Sequence, residues 1–249
     1  MPDAATVLAD SGSMAIRPMG VQWPAEDRYM DTSAARRNII ARIRAAQRRP
    51  AQPAPGERDA LADYLARHPA GPRPDLPEDL VELFAVQSRR MATSVACVDA
   101  QAQVPAAVAA YLHEQGLATT AIAWPALADP GWVQVGCELE FRAPRDGDLI
   151  GITGCFCAIA ETGTLALLSG ENEFVSAGLL PETHIAIVPA SRIVAGLEDA
   201  FTLIRAERGE LPRTVNFISG PSRTGDIEQT IVLGAHGPYR VHAIVVRDV

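Results

Sequence analysis

The chain has 249 residues, 48% hydrophobic and 21% charged, an ordinary globular composition with ample material for a buried core. Its formal net charge of −8 argues against a nucleic-acid binder, whose affinity rests on neutralising phosphates. All 22 positive residues are arginine, so a Walker-type phosphate loop, Schiff-base chemistry and lysine-anchored pyridoxal phosphate are excluded.

Residues 1–31 show no hydrophobic period and contain Gly, Pro and Ser, which predicts a flexible N-terminal extension. Ser33 is placed to cap a helix through about Arg49, with Ile39, Ile40 and Ile43 on one stripe. That helix carries Arg36, Arg37, Arg42, Arg44, Arg48 and Arg49 and no acid. Such a face is either solvated or suited to a membrane surface or an acidic partner subunit. From Pro50 to Pro77, seven prolines surround a short helical pattern over Glu57–His68. Pro77 suits a first helical turn, and a helix is expected from there to about Met91 with Leu80, Leu83 and Phe84 inward. Residues 32–93 thus form an expected helical cap.

From residue 94 the pattern alternates. Val95–Val98 reads as a strand, Val104–Gln115 as a helix stopped at Gly116, and Thr119–Trp124 as a strand; Trp132–Phe141 is ambiguous. Ile185–Val188 is a further strand, and Leu197, Ala200, Phe201 and Ile204 give the stripe of a helix packed on a sheet. Strands spaced by helices imply crossovers, hence an α/β fold whose core, 94–249, is a largely parallel sheet flanked by helices. The longest nearly apolar run, Leu149–Ala160, falls short of the roughly 20 residues that span a bilayer. No charged segment leads an apolar secretory one, so the expectation is a cytoplasmic protein. Of four cysteines only Cys155 and Cys157 are close, which is half a metal or cluster site, so no metal ligand set is assigned.

Two stretches concentrate polar groups. Glu161-Thr162-Gly163-Thr164 lies between apolar runs, where a carboxylate is costly to bury unless paired or protonated. Ser219-Gly220-Pro221-Ser222-Arg223-Thr224-Gly225-Asp226 follows the strand-like Thr214–Ile218, which reads as buried, and continues to His236 and His242. Ligands in open α/β sheets sit beyond the carboxyl ends of strands, which directs attention here. Arg223 is able to hold an anion, assisted by amides at Ser222–Gly225 if a helix starts there; equally it is able to pair with Asp226, Glu228 or Glu161. His184, at the head of a strand, is either a cleft residue or hydrogen-bonded structure.

Taken in order, Ala160-Glu161-Thr162-Gly163-Thr164-Leu165, Leu180-Pro181-Glu182-Thr183-His184-Ile185, Ser219–Glu228 and Leu233-Gly234-Ala235-His236-Gly237-Pro238 closely resemble the lactate utilization protein C family, single-domain members of the LUD domain group. The resemblance covers about Asp31 to Val249. It implies a LUD-type domain over 32–249, with a fold similar to the isomerase and coenzyme A transferase-like group. It also implies a role in oxidising L-lactate to pyruvate beside two iron–sulfur subunits, which hold the clusters while this chain binds no cofactor. Glu171–Ser176 departs from the Gly-Arg-rich or Asn-Pro-Thr segment common there, so if an arginine of that segment holds a carboxylate in some members, this chain lacks it. On this reading Thr162, Gly163, Thr164, His184, Ser219, Gly220, Ser222, Arg223 and Thr224 contact a small carboxylate, and homo-oligomers are compatible with it. The alternative is a stand-alone acyl or coenzyme A-type transferase or isomerase, with Glu161 as nucleophile or base, His236 as acid, and Asp226 in the same constellation.

Overall fold

The computed structural model describes residues 31–50, 52–225 and 232–248, in two compact units, one ending at Pro69 and one beginning at Ala70. The first contains α1, Ser33–Ala46, and α2, Glu57–Arg67. Ser33 is the first helical residue rather than the cap, and its N–H donates to the Asp31 carboxylate at 2.9 Å. Neither helix buries a residue, and Ile39, Ile43, Leu61, Tyr64 and Leu65 are exposed. The Arg49 guanidinium pairs with the Glu57 carboxylate across the proline-rich turn.

The second unit begins its regular structure with α3, Leu80–Arg90. Its start lies three residues beyond Pro77, because the Asp79 side chain accepts from the Glu82 N–H at 3.0 Å and caps the helix there. There follow β1 (Ser94–Ala100), α4 (Val104–Glu114), β2 (Thr120–Ala123), α5 (Gly131–Gln134) and β3 (Glu138–Phe141). The ambiguous stretch is thus one turn of helix and then an edge strand. Next come β4 (Ile150–Thr153), β5 (Cys157–Ile159), β6 (Thr164–Leu168), β7 (Thr183–Pro189), β8 (Ile193–Val194) and α6 (Leu197–Arg208). The described residues end with β9 (Val215–Ile218), β10 (Arg223–Thr224), β11 (Val232–Leu233) and β12 (Arg240–Asp248).

Six strands form one sheet in the order β1-β12-β7-β4-β2-β3, parallel at every pairing. The parallel sheet flanked by helices is the α/β architecture read from the sequence. A second sheet, β8-β5-β6-β9, is mixed, and β10-β11 is a small hairpin. β7 over Ile185–Val188 and β12 over Ala243–Val246 are apolar without interruption, as strands covered on both faces require. Alternation divides them. Ile185, Ile187, Ile244 and Val246 pack toward Val108 and Leu112 of α4, whereas Ala186, Val188, Val241, Ala243 and Val245 face Phe84 of α3 and Leu165 and Leu167 of the second sheet. Ala200 and Ile204 of α6 then close the outer face of that second sheet over Cys157, Ile159 and Ala166. The layers are therefore α4, parallel sheet, mixed sheet and α6.

One strand departs from expectation. β9 is not a buried strand of the parallel sheet but an edge of the mixed one, pairing among the described residues only with β6, and Phe217 is 39% exposed. Its four residues alternate too weakly to bury both faces.

Candidate functional site

The structure brings the two polar stretches together on the carboxyl end of α3. Gly163 takes φ +63°, and its carbonyl accepts from Ser88 Oγ at 3.4 Å. A Cβ there would lie 2.3 Å from the Ser88 nitrogen, so only glycine permits this approach. Gly220, at φ +79°, lies against the Met91 carbonyl in the same way. Ser219 Oγ donates to the Thr162 carbonyl at 3.4 Å, joining one stretch to the other. Thr162 Oγ1 and Thr164 Oγ1 are 2.8 Å apart.

Arg223 lies in strand β10, not at a helix start, and its Nη2 donates to the Met91 carbonyl at 2.9 Å. Ser222 and Thr224 are part of the same hairpin, where the Ser222 N–H donates to the Pro238 carbonyl and the Ser222 carbonyl accepts from Gly234. His236 is exposed in the turn after β11. Asp226 and Glu228 lie outside the described residues. Glu161 is half-buried, with a carboxylate oxygen 3.2 Å from where a Gly196 Cβ would be, beside the start of α6. Near it, Arg73 grips Asp199 through two bonds of 2.9 and 2.8 Å.

This meeting of motifs stands at the amino edge of the parallel sheet. Met91 precedes β1, and the Tyr239 and Arg240 N–H groups, at the start of β12, donate to the Glu182 carbonyl just before β7. The expectation that the 219–242 stretch follows the carboxyl end of a parallel strand is thereby corrected.

The histidines are separated too. His184 is fully buried on the face toward the mixed sheet, with Nε2 2.8 Å from Thr153 Oγ1. His242 points to the opposite face, with Nδ1 2.8 Å from Ser94 Oγ and its ring stacked on Tyr111 at 3.9 Å. The remaining nitrogen of each, His184 Nδ1 and His242 Nε2, is buried without a partner. Burial holds both rings down to about 4, so they are neutral at pH 7. Burial likewise raises the Tyr111 phenol. Among the described residues no group of three or more His, Cys, Asp or Glu is placed to hold a metal ion.

The carboxyl edge carries a different arrangement. β2 and β4 are neighbours, yet the chain leaves β2 toward β3 on one side and leaves β4 toward β7 on the other. Such a reversal opens a crevice where ligands bind in open α/β sheets. A cleft of about 230 Å³ lies there. Trp124 comes from the end of β2, Cys155 and Phe156 from the segment after β4, and Leu168 from the end of β6. Glu173 approaches from the following loop, and Arg192, Glu207 and Arg208 complete the wall.

Arg192 holds this wall rigid. Its Nε donates to the Phe156 carbonyl at 2.8 Å, and its two terminal nitrogens reach Glu207 at 2.5 and 3.0 Å. The guanidinium also lies 4.7 Å from the Phe156 ring centroid, a cation–π contact. The hydrogen bond from Arg192 draws the Glu207 carboxyl below its ordinary range. Arg208 lies 5.8 Å from the same ring, and among the described residues it forms no ion pair. Burial pushes the Cys155 thiol up to about 12 and Cys157 up to about 11, so neither is a thiolate at neutral pH.

Sequence reading missed this cleft because it took 151–160 as one segment leading to Glu161. The usable signal was Thr153-Gly154-Cys155-Phe156, a break between two apolar runs that belong to different sheets. A larger cavity, about 310 Å³, opens at the amino ends of β2, β3 and β4. Its rim carries Glu138, Glu140, Asp148 and Glu182, of which Glu140 and Asp148 are already occupied by Arg142. The carboxyl-edge cleft is the better candidate on topology.

A family model described as the LUD domain matches residues 148–246. This stretch is similar to the LUD domain. It holds β4 to most of β12, hence the two polar stretches that meet α3 and the greater part of the cleft. The chain is 46% identical over 101 residues to a lactate utilization protein C from Shouchella clausii, covering 40% of this chain and 44% of the relative. To the protein of that name from Bacillus subtilis it is 38% identical over 131 residues, 50% of this chain and 54% of the relative. The chain thus spans about half the length of the curated relatives it matches. A solved DUF162 family protein from Deinococcus radiodurans superposes with a TM-score of 0.53 at 26% identity, over 70% of this chain and 99% of that one. The resemblance to the lactate utilization protein C family read from the motifs is thereby shown.

Proposed function

We propose that this chain works in L-lactate utilisation, as a cytoplasmic subunit supporting oxidation of L-lactate to pyruvate together with two iron–sulfur partner subunits. The observation that carries this reading is the 38–46% identity of its LUD region to relatives named lactate utilization protein C. Two features support it. The cleft between β2 and β4 is of a size for a small metabolite, below the roughly 300–1,000 Å³ typical of drug-sized ligands. The burial that raises the Cys155 and Cys157 thiols opposes the thiolates a cluster needs, which favours clusters held by partner chains. Among the described residues no helix is long and apolar enough to cross a membrane.

The test is lactate-dependent dye reduction by the purified chain, alone and with its two partners, beside growth of a deletion strain on L-lactate. Activity that needs all three chains, and a growth defect specific to lactate, is the expected result. A coenzyme A-dependent activity of the lone chain, with normal growth on lactate, refutes the reading.

A further inference from the structure

α1 presents an apolar stripe that its own unit leaves uncovered. The helix buries no side chain, and Ile39 and Ile43 are 57% and 49% exposed. Helical spacing puts Arg36, Ile40 and Arg44 in one row at i, i+4 and i+8, directly beside the row of Ile39 and Ile43. Arginine therefore borders the isoleucines over about two turns. Arg36, Arg37, Arg42 and Arg44 form no ion pair with a described residue.

The second unit carries a surface of the complementary kind. Residues 70–249 hold 22 acids against 12 arginines, whereas residues 32–50 hold six arginines and no acid. The cavity of about 310 Å³ at the amino ends of β2, β3 and β4 has an apolar lining that includes Leu117, Leu139 and Leu149, the last 56% exposed. On its rim Arg142 is bonded to Glu140 and Asp148, with Arg145 acting on both. Glu138 and Glu182 are exposed there and have no ion pair among the described residues. An apolar groove beneath two unpaired carboxylates matches isoleucines bordered by unpaired arginines. A lipid surface fits the first unit less well. The α1 stripe has three isoleucines and no aromatic anchor, and the Leu61, Tyr64 and Leu65 stripe of α2 shares its helix with Asp59 and Asp63, which an anionic surface repels.

We propose that α1 of one copy of this chain docks on the groove at the amino ends of β2, β3 and β4 of a second copy. Ile39 and Ile43 enter the groove, while Arg36 and Arg44 meet Glu138 and Glu182. Exchanged reciprocally, the two contacts close a two-fold dimer in which each copy gives a helix and receives one. Burial of the isoleucines supplies the affinity, and the charges steer the approach and fix the direction of the helix. The contact leaves the cleft at the carboxyl edge of the sheet open, and it stands whether or not the chain works on lactate.

Sedimentation velocity of the full chain, from about 1 to about 100 μM, tests the proposal. A dimer is expected at about 50 mM NaCl, loosened at about 500 mM as the charges are screened. Ile39→Asp combined with Ile43→Asp should weaken dimerisation by about thirtyfold or more, as loss of an interface hot spot does. Glu138→Arg combined with Glu182→Arg should also dissociate the dimer, and adding Arg36→Glu and Arg44→Glu to that chain should restore it. All six side chains are exposed or on the groove rim, and circular dichroism melts confirm that the variants fold. Damage to the fold would not be rescued by a second charge reversal. A monomer at every concentration overturns the proposal, as does a dimer indifferent to the isoleucine pair or a charge reversal that the second one fails to rescue. A chain that is monomeric in solution and co-sediments with phosphatidylserine vesicles gives α1 a lipid occupant instead, and equally overturns it.

Discussion

His184 and His242 make the stability of the protein depend on pH in a window that opens well above the ordinary carboxylate range. Each ring has one nitrogen bonded to a hydroxyl and the other buried without a partner. In the neutral form the orphan nitrogen is a lone pair, which costs little. Protonation would turn it into a charged donor with no acceptor, inside apolar packing. That is why both rings are held down to about 4, against about 6.5 for an unfolded histidine. The unfolded chain therefore binds more protons between those values, and stability is lost as pH falls from about 6.5 toward 4. At pH 5 the gap of about 1.5 units corresponds to about 2 kcal/mol per histidine. The pair together costs about 4 kcal/mol, a large part of a typical 5–15 kcal/mol domain stability. Urea unfolding at pH 7.5 and pH 5 measures it. His184→Gln keeps a donor for Thr153 but does not titrate, and should remove about half of the pH dependence; His242→Gln should do the same. A chain equally stable at both pH values, or variants with the full slope, refutes the reasoning.

Three further outcomes follow from the packing. Gly163→Ala should cost about 2–5 kcal/mol in urea, combining left-handed backbone strain with overlap on the α3 backbone; Gly147→Ala, at φ +89° with nothing within 4 Å, should cost only about 1–2. Equal losses would mean that the α3 seam yields. Asp148→Asn should lower the melting temperature at pH 7, since the hydrogen bond from Arg142 holds the Asp148 carboxyl below its usual range. The difference from the parent should vanish as pH falls through that lowered value, where the parent loses the same charge. Iodoacetamide on the native chain should label exposed Cys97 and spare Cys137, Cys155 and Cys157 until denaturant is added, as peptide mass mapping would show.

The architecture was legible because burial leaves a periodic trace. Ile185–Val188 of β7 reads as an apolar run since both faces are covered, and of the α6 stripe Ala200, Phe201 and Ile204 meet the mixed sheet while Leu197 is exposed. The division of strands between two sheets was not legible. β5, β6 and β9 have the same short apolar character as parallel strands, and what separates them is pairing across long distances in sequence. The same gap explains the site. Ser219 Oγ joins the two polar stretches at the Thr162 carbonyl, but the edge of the sheet they occupy depends on which sheet β9 joins. Pro77 misled for a local reason: proline suits a first turn, yet the Asp79 carboxylate supplied a real cap two residues later.

The densest motifs and the best-placed cleft therefore lie at opposite edges of one sheet, and physical chemistry accounts for the difference in their visibility. A seam such as Gly163 on Ser88, or Gly220 on Met91, admits a single residue type, because a Cβ would overlap backbone that cannot move. Such positions write sharp sequence patterns whether or not chemistry occurs there. A cleft wall is more permissive. Arg192 must reach Glu207 and a carbonyl, and Arg208 needs only to lie over Phe156, which many sequences can arrange. A motif marks where the backbone has no freedom. Locating a ligand site required the strand order, in particular the reversal between β2 and β4, which no local pattern encodes.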